Sequence, residues 1–334
     1  MKQICWHYDL LYYGGIEQSL SSLLEMINSN KMVVTHRKQY FTQQSVVDRI
    51  AKQCEIINTD EIEQINPEIC IFAGLIFDYE TIFQKIKAKK YIGWVHFIPT
   101  EQAIFENMLL YPEYYNKIDM WVCVSETAKR GLLKLIPNAN VRVIHNVIDE
   151  NRVKQMSQIP ININAPNNAI KFVTSARLSE EKGIYEGIEL CKRFEEAKIP
   201  YVWYLIGGGI DTDVINAIND AKQKYNIITP GYLQNPYNII KQCDYGLLLS
   251  KNESWSIFVD ECHILGIPTI TTNFDAIYER ENIEKYGIII NEDLSNLDIN
   301  KIIEKKDILK NNLKSYKYQN GLHLWNEIFE EIKK

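Results

Sequence analysis

The sequence predicts an α/β protein of two doubly wound parallel-sheet domains facing each other across a cleft. Three observations predict it. Short apolar runs rich in β-branched and aromatic residues alternate with longer helix-like stretches, the pattern of βαβ units. That alternation stops at residues 150–169 and then restarts. The chain has 334 residues, enough for two domains at roughly 100–200 residues each, and each half is long enough to bury a core.

In the first half, "QICWHY", "KMVVTH", "ICIFAG", "YIGWVHF", "MWVCVS" and "VRVIHNV" read as strands. They are nearly all apolar, as strands covered by helices on both faces must be. "IEQSLSSLLEMI" and "ETAKRGLLKLI" are helix-like stretches between them. The segment "ENRVKQMSQIPININAPNNA" is rich in Asn, Gln and Pro and shows no period, so it reads as a linker. The second half runs "IKFVTSA", a helix from Gly183, "YVWYLIG", a helix from about Asp213, "NIITPGY", a short helix, "YGLLLS", a helix and "PTITT". The last segment is an amphipathic helix with Leu322, Trp325, Ile328 and Phe329 on one side. The expected domains are residues 1–150 and 151–315.

Composition narrows the function. Hydrophobic residues make up 46% and charged residues 24%, the balance of a globular domain. A formal net charge of −6 with no strong basic block argues against nucleic acid as a partner. Seven cysteines are scattered without a CxxC, the usage of buried free thiols in a reducing compartment. "MKQICWHYDL" lacks the apolar region of a secretory signal. No run approaches the roughly 20 apolar residues that span a bilayer, so a cytoplasmic chain is expected. "KIKAKK" at 85–90 and "MLLYPEYYNK" at 108–117 are candidates for peripheral contact with a membrane, against a solvated helix and ordinary packing. With no HxxxH, CxxC or DxD-like cluster at a strand end, no metal site is expected.

In open α/β sheets ligands bind beyond the carboxyl ends of the strands, so the loops after strands are the ones to inspect. Gly14 and Gly15 precede a helix start after the first strand. They serve either a tight βα turn or a close backbone approach to a ligand. His96 ends the strand "YIGWVHF" and is either a core histidine or a donor to a ligand. Arg177 leaves an apolar strand and Lys182 lies five residues on, before Gly183 and a helix. Singly, Lys182 reads as a solvated surface charge and Arg177 as half of a buried ion pair; together, with Gly183, they favour a compact dianion. Gly207 and Gly208 follow the next strand, and Tyr232 and Leu233 the one after. The former offer either a flexible turn or close backbone approach. The latter are candidates to hold a planar base through the main chain.

The stretch "KNESWSIFVDECHILGIPTITT" puts Glu253 in a loop after a strand and Glu261 inside the following helix. Ser254 or Ser256 is expected to N-cap that helix. A carboxylate in an otherwise apolar run needs partners, either ligand hydroxyls or a structural Lys or Arg.

Taken together these motifs resemble retaining nucleotide-sugar glycosyltransferases of the GT-B fold, the large GT4-type group. "GGIE" at 14–17 is similar to the N-terminal Gly-Gly loop, "ARLSEEKG" at 176–183 to the Arg-x4-Lys-Gly phosphate segment, "LIGGG" to the glycine turn, and "ESWSIFVDE" to the E-x7-E signature. The resemblance covers nearly the whole chain. It implies two Rossmann-like domains, with the last helix (about 316–334) crossing back onto the first. It implies that Arg177 and Lys182 hold a donor diphosphate and that Glu253 contacts the donor sugar. Glu261 would accept from ribose hydroxyls, and His96 would touch the sugar near the reacting carbon. Gly14 and Gly15 would lie against diphosphate or acceptor. Gly207, Gly208, Tyr232, Leu233 and the helix start at Trp255, Ser256 and Ile257 would complete the donor site.

The implied partners are a nucleotide-sugar donor, a UDP-hexose by expectation, and a glycan or lipid-linked acceptor. No cofactor is implied, since fixed cations would replace a divalent ion. Ser256 stands where the family often has Gly, Val147 is at another frequent Gly, "IGGGI" lacks the usual Pro, and His96 is not followed by the common Asp. A GT-B-type epimerase or phosphorylase, a glycoside hydrolase using Glu253 and Glu261, and a non-catalytic glycosyltransferase-like subunit are the alternatives.

Overall fold

The structure is a computed structural model that describes residues 3–7, 15–28, 30–35, 44–74, 79–99, 115–209 and 211–333. The chain divides into two compact units, Met1–Ile148 with Gln319–Lys334, and Asp149–Tyr318.

The first unit holds a seven-stranded parallel sheet. Its strands are β1 (Gln3–His7), β2 (Asn30–Thr35), β3 (Glu55–Asn58), β4 (Ile69–Ala73), β5 (Lys90–Val95), β6 (Met120–Cys123) and β7 (Val141–Val143). Their order is β3-β2-β1-β4-β5-β6-β7. Helices α1 (Gly15–Met26), α2 (Gln44–Ala51), α3 (Tyr79–Lys85) and α4 (Glu126–Leu135) connect them. Successive residues of a strand face opposite sides. Cys5 and Cys70, in register on β1 and β4, join Phe72, Ile82 and Phe83 in one core. Trp6 and Trp94 meet the C-terminal helix α11 (Leu322–Lys333). There Trp325 packs edge-on against Trp94 at 5.1 Å and Phe329 against Trp6 at 6.3 Å. Arg142 closes a bidentate pair with Glu331 on the same helix, at 3.1 and 2.6 Å.

The second unit holds a six-stranded parallel sheet of β8 (Ile170–Ser175), β9 (Tyr201–Ile206), β10 (Ile227–Gly231), β11 (Tyr245–Leu248), β12 (Thr269–Thr272) and β13 (Gly287–Ile290). The order is β10-β9-β8-β11-β12-β13. Its helices are α5 (Glu150–Ser157), α6 (Ile184–Glu196), α7 (Thr212–Lys222), α8 (Tyr237–Ile240), α9 (Ile257–Ile264) and α10 (Ile299–Asn312). Phe172, Phe194, Trp203 and Tyr245 dominate the core. Inside it, the Trp203 indole donates to Thr174 Oγ1 at 2.9 Å, and that hydroxyl donates to Leu247 O at 2.6 Å. In each sheet the winding reverses beside the first strand of the unit, between β1 and β4 and between β8 and β11.

Two local readings of the sequence need correction. The expected linker begins with a helix, α5. Asp149 caps it by accepting from Arg152 N at 3.0 Å, and Glu150 pairs with Lys154 at 2.9 Å. Only Val153 and Ser157 of α5 are buried, so no apolar period marks it. The last turn of α5 and the irregular chain after it are pinned, with Asn235 donating to the carbonyl of Met156, and Asn238 and Gln242 to those of Ile159 and Ile161. The division between units therefore falls after Ile148 and after Tyr318. The second correction concerns α9. Ser256 stands at its N-cap, yet no side chain caps the helix.

Candidate functional site

The switch point of the second sheet lies between β8 and β11, and the loops that leave these two strands carry the candidate charges. Arg177 and Lys182 follow β8, and Glu253 follows β11. Lys182 Nζ donates to Glu253 Oε1 at 2.8 Å, and Ser250 Oγ donates to the same oxygen at 2.8 Å. The Lys182 and Glu253 side chains are only 20% and 12% exposed. Lys251 N donates to Glu181 O at 3.0 Å, and Thr272 Oγ1 donates to Ser250 O, so three strand ends hold these loops together. Arg177 pairs with Glu181 four residues on, with both side chains about half exposed. Burial pushes the Glu181 carboxyl up, but the hydrogen bond and charge of the Arg177 guanidinium, joined by the Lys182 ammonium, together outweigh it and hold the carboxyl below its usual pKa.

Glycine is required here by contact. Gly183 sits at φ +68°, and a Cβ there would lie 1.9 Å from Leu249 O. Gly207, at φ +146°, would place a Cβ 1.9 Å from Ala176 O. These two glycines let the β8 and β9 loops pack on neighbouring backbone. Gly208 is different, because a Cβ there meets nothing within 4 Å. Tyr232 follows β10 and is exposed, and Leu233 comes next.

Helix α9 carries two adjacent buried acids. Glu261 accepts from the Tyr237 hydroxyl of α8 at 2.8 Å. Asp260 takes a bidentate bond from Arg280, with Nε at 2.9 Å and Nη2 at 3.1 Å, and a bond from Trp255 Nε1 at 2.6 Å. Sequence reasoning singled out Glu253 and Glu261 but missed Asp260, Arg280, Tyr237 and Ser250. Asp260 carried a signal, since it is a second acid in the same apolar run. Nothing local ties Arg280 to it across 20 residues.

In the first unit, Gly15 opens α1 and is exposed, while Gly14 lies outside the described residues. His96 follows β5 and its ring lies 4.2 Å from that of Trp94. Desolvation, opposed by a hydrogen bond with Asn146, lowers its pKa to about 3, so the ring is neutral at neutral pH. In the 85–90 segment Lys85 and Lys87 donate to the carbonyls of Thr59 and Phe83. Lys89 pairs with Glu68 and Lys90 with Asp119. Residues 108–114 of the aromatic stretch lie outside the described residues. Among the described residues no helix is long and apolar enough to cross a membrane.

Residues 155–320 match the family model described as glycosyl transferases group 1. The O-antigen biosynthesis glycosyltransferase WclY of Escherichia coli is 30% identical over 147 residues, which are 43% of this chain and 40% of that protein. The chain thus spans less than half the length of that relative. The alpha-galactosylglucosyldiacylglycerol synthase of Streptococcus pneumoniae is 23% identical over 322 residues, 86% of this chain and 83% of that one. Among solved structures, Anabaena HepE in complex with UDP and glucose superposes with a TM-score of 0.76 at 13% identity, over 99% of both chains. The lipopolysaccharide outer core galactosyltransferase WaaB superposes with a TM-score of 0.65 at 14% identity, over 99% of this chain and 100% of that one. Likeness at such identity is likeness of fold, and the fold is GT-B.

Proposed function

We propose that this chain, whose residues 155–320 match the family model described as glycosyl transferases group 1, is a retaining hexosyltransferase using a UDP-sugar. Its acceptor is a glycan or lipid-linked glycan in surface polysaccharide or glycoconjugate synthesis. The observation that carries this reading is the Lys182–Glu253 pair, which joins the loops after β8 and β11 beside Arg177. An anionic ligand at a switch point needs cations on those loops. The relatives support the class: WclY is named for O-antigen biosynthesis, and HepE is described with UDP bound.

Breaking the bond from the anomeric carbon to phosphate oxygen builds negative charge on the departing diphosphate. Arg177, Lys182 and the start of α9 receive it, an electrostatic role in which one fixed donor is worth about 2–4 kcal/mol. Glu253 Oε2 has no hydrogen-bond partner among the described residues and accepts from a donor-sugar hydroxyl. Glu261 accepts from the ribose, and Tyr232 and Leu233 lie along the base. The acceptor hydroxyl attacks from the leaving group's side. Its oxygen bonds to the anomeric carbon as its proton passes to the departing phosphate oxygen, so no separate base is needed. No metal takes part.

The test is a screen of UDP-, GDP- and ADP-hexoses that reads both free nucleoside diphosphate and new glycoside. Arg177→Ala should lose about a hundredfold in turnover on the best donor. Full turnover by that variant would overturn the phosphate assignment.

A further inference from the structure

The loop that starts α9 has an unusual backbone. Ser256 lies at φ +74°, ψ 99°, a region costly for any residue with a Cβ. A buried polar ring surrounds it. Arg280 donates from Nη2 to Ser256 O at 2.8 Å and stacks over the Trp255 ring at 4.1 Å. Arg280 also grips Asp260, and Asp260 in turn accepts from the Trp255 indole. Asp260 is 1% exposed and Arg280 8%. The three side chains close a circuit across the first turn of α9, and the carbonyl of the strained residue is tied into it.

A buried ion pair is weak evidence for stability, because desolvating both charges offsets their attraction. Arg280 Nη1 is buried without a hydrogen-bond partner among the described residues, which adds to that cost. Geometry gives the pair another role. No peptide among the described residues is cis. Fixing Ser256 O toward Arg280 therefore turns the Ile257 N–H, across the same trans peptide, to the opposite side. That N–H is the first of the helix, and no side chain caps it.

We infer that Asp260, Arg280 and Trp255 form a positioning clamp that holds Ser256 in a backbone conformation glycine would adopt freely, and so presets the start of α9 for the donor diphosphate. None of the three touches the reacting atoms in this role. The inference rests on the donor-site reading above.

Calorimetry with UDP on the full chain tests it. The apolar double variant Asp260→Leu/Arg280→Leu should melt no lower than the parent yet bind UDP about tenfold or more weakly. Adding Ser256→Gly to that variant should restore the affinity to within about threefold, because glycine carries no strain at this position. A role in core packing alone predicts no such rescue. Arg280→Lys should fall between parent and double variant, since an ammonium keeps the charge but neither the fork nor the stacking. If the double variant does not fold, Trp255→Phe, which removes the indole N–H of the circuit and trims the ring that Arg280 covers, carries the same test with the same rescue. Parent-like UDP binding by the clamp variants, or no rescue by Ser256→Gly, overturns the clamp and leaves the donor site standing. Absence of UDP binding by the parent protein overturns both.

Discussion

Lys182 and Glu253, 71 positions apart in the chain, share a 2.8 Å hydrogen bond in a largely shielded setting. Removing one member leaves the other charge poorly solvated, so each single variant should cost more than the pair is worth. Lys182→Ala should weaken UDP binding by about ten- to a hundredfold, since contacts to charged groups are worth about 1.5–3 kcal/mol. Glu253→Gln should keep UDP binding within a few-fold and lose turnover, because its assigned partner is the sugar. Titration with UDP and initial rates with the best donor separate these outcomes.

Arg177 and Glu181 form an exposed pair, which contributes at most about 1 kcal/mol. Glu181→Gln should therefore leave the melting temperature unchanged within error. It should also leave UDP affinity equal or tighter, because it removes a carboxylate that competes for Arg177. A substantial loss of UDP affinity in Glu181→Gln would mean that the carboxylate, not the arginine, organises the site.

Gly183 and Gly208 should respond differently to the same change. Gly183→Ala meets the Leu249 carbonyl in a left-handed backbone and should destabilise the second unit by more than about 1–3 kcal/mol. Gly208→Ala meets open space and should fold normally, so any loss of UDP affinity there reports steric conflict with the ligand. Chemical denaturation alongside UDP titration reads both.

Tyr237 donates to Glu261, the acid assigned to the ribose. Tyr237→Phe should reduce discrimination between UDP and 2′-deoxy-UDP by about three- to tenfold while leaving the fold intact, in line with one hydrogen bond of about 0.5–1.5 kcal/mol. Glu261→Gln should reduce it at least as much. Unchanged discrimination in Glu261→Gln would remove Glu261 from the ribose.

Stability should fall as the solution is acidified below neutrality. Desolvation lowers the pKa of His96 and His263 from 6.5 to about 3, and the nearby Arg280 charge adds to the effect at His263. An unfolded imidazole takes up a proton below about pH 6.5, and the folded ones resist until about pH 3. The stabilisation is thus fully present above pH 6.5 and is lost as the pH falls through that window. The slope is at most about 1.4 kcal/mol per pH unit for each histidine. Urea unfolding between pH 7.5 and 5 measures it, and His263→Gln should flatten it.

Much of this molecule is legible along the chain. The strands β1, β2, β4, β5 and β6 announce themselves as apolar runs, because a parallel sheet covered on both faces has no polar side to interrupt them. β3 (Glu55–Asn58), with no fully buried residue, does not, and neither does α5. Arg177, Lys182, Glu253 and Glu261 stand out because charge beside or within an apolar run is expensive. The sequence by itself determined two doubly wound halves and which loops carry the charged groups. Only the tertiary structure decided that Lys182 meets Glu253, that Tyr237 meets Glu261, and that Arg280 closes on Asp260 and Trp255. Those pairings join residues brought together by sheet order and helix packing, and no local periodicity records which distant side chain will satisfy a buried charge.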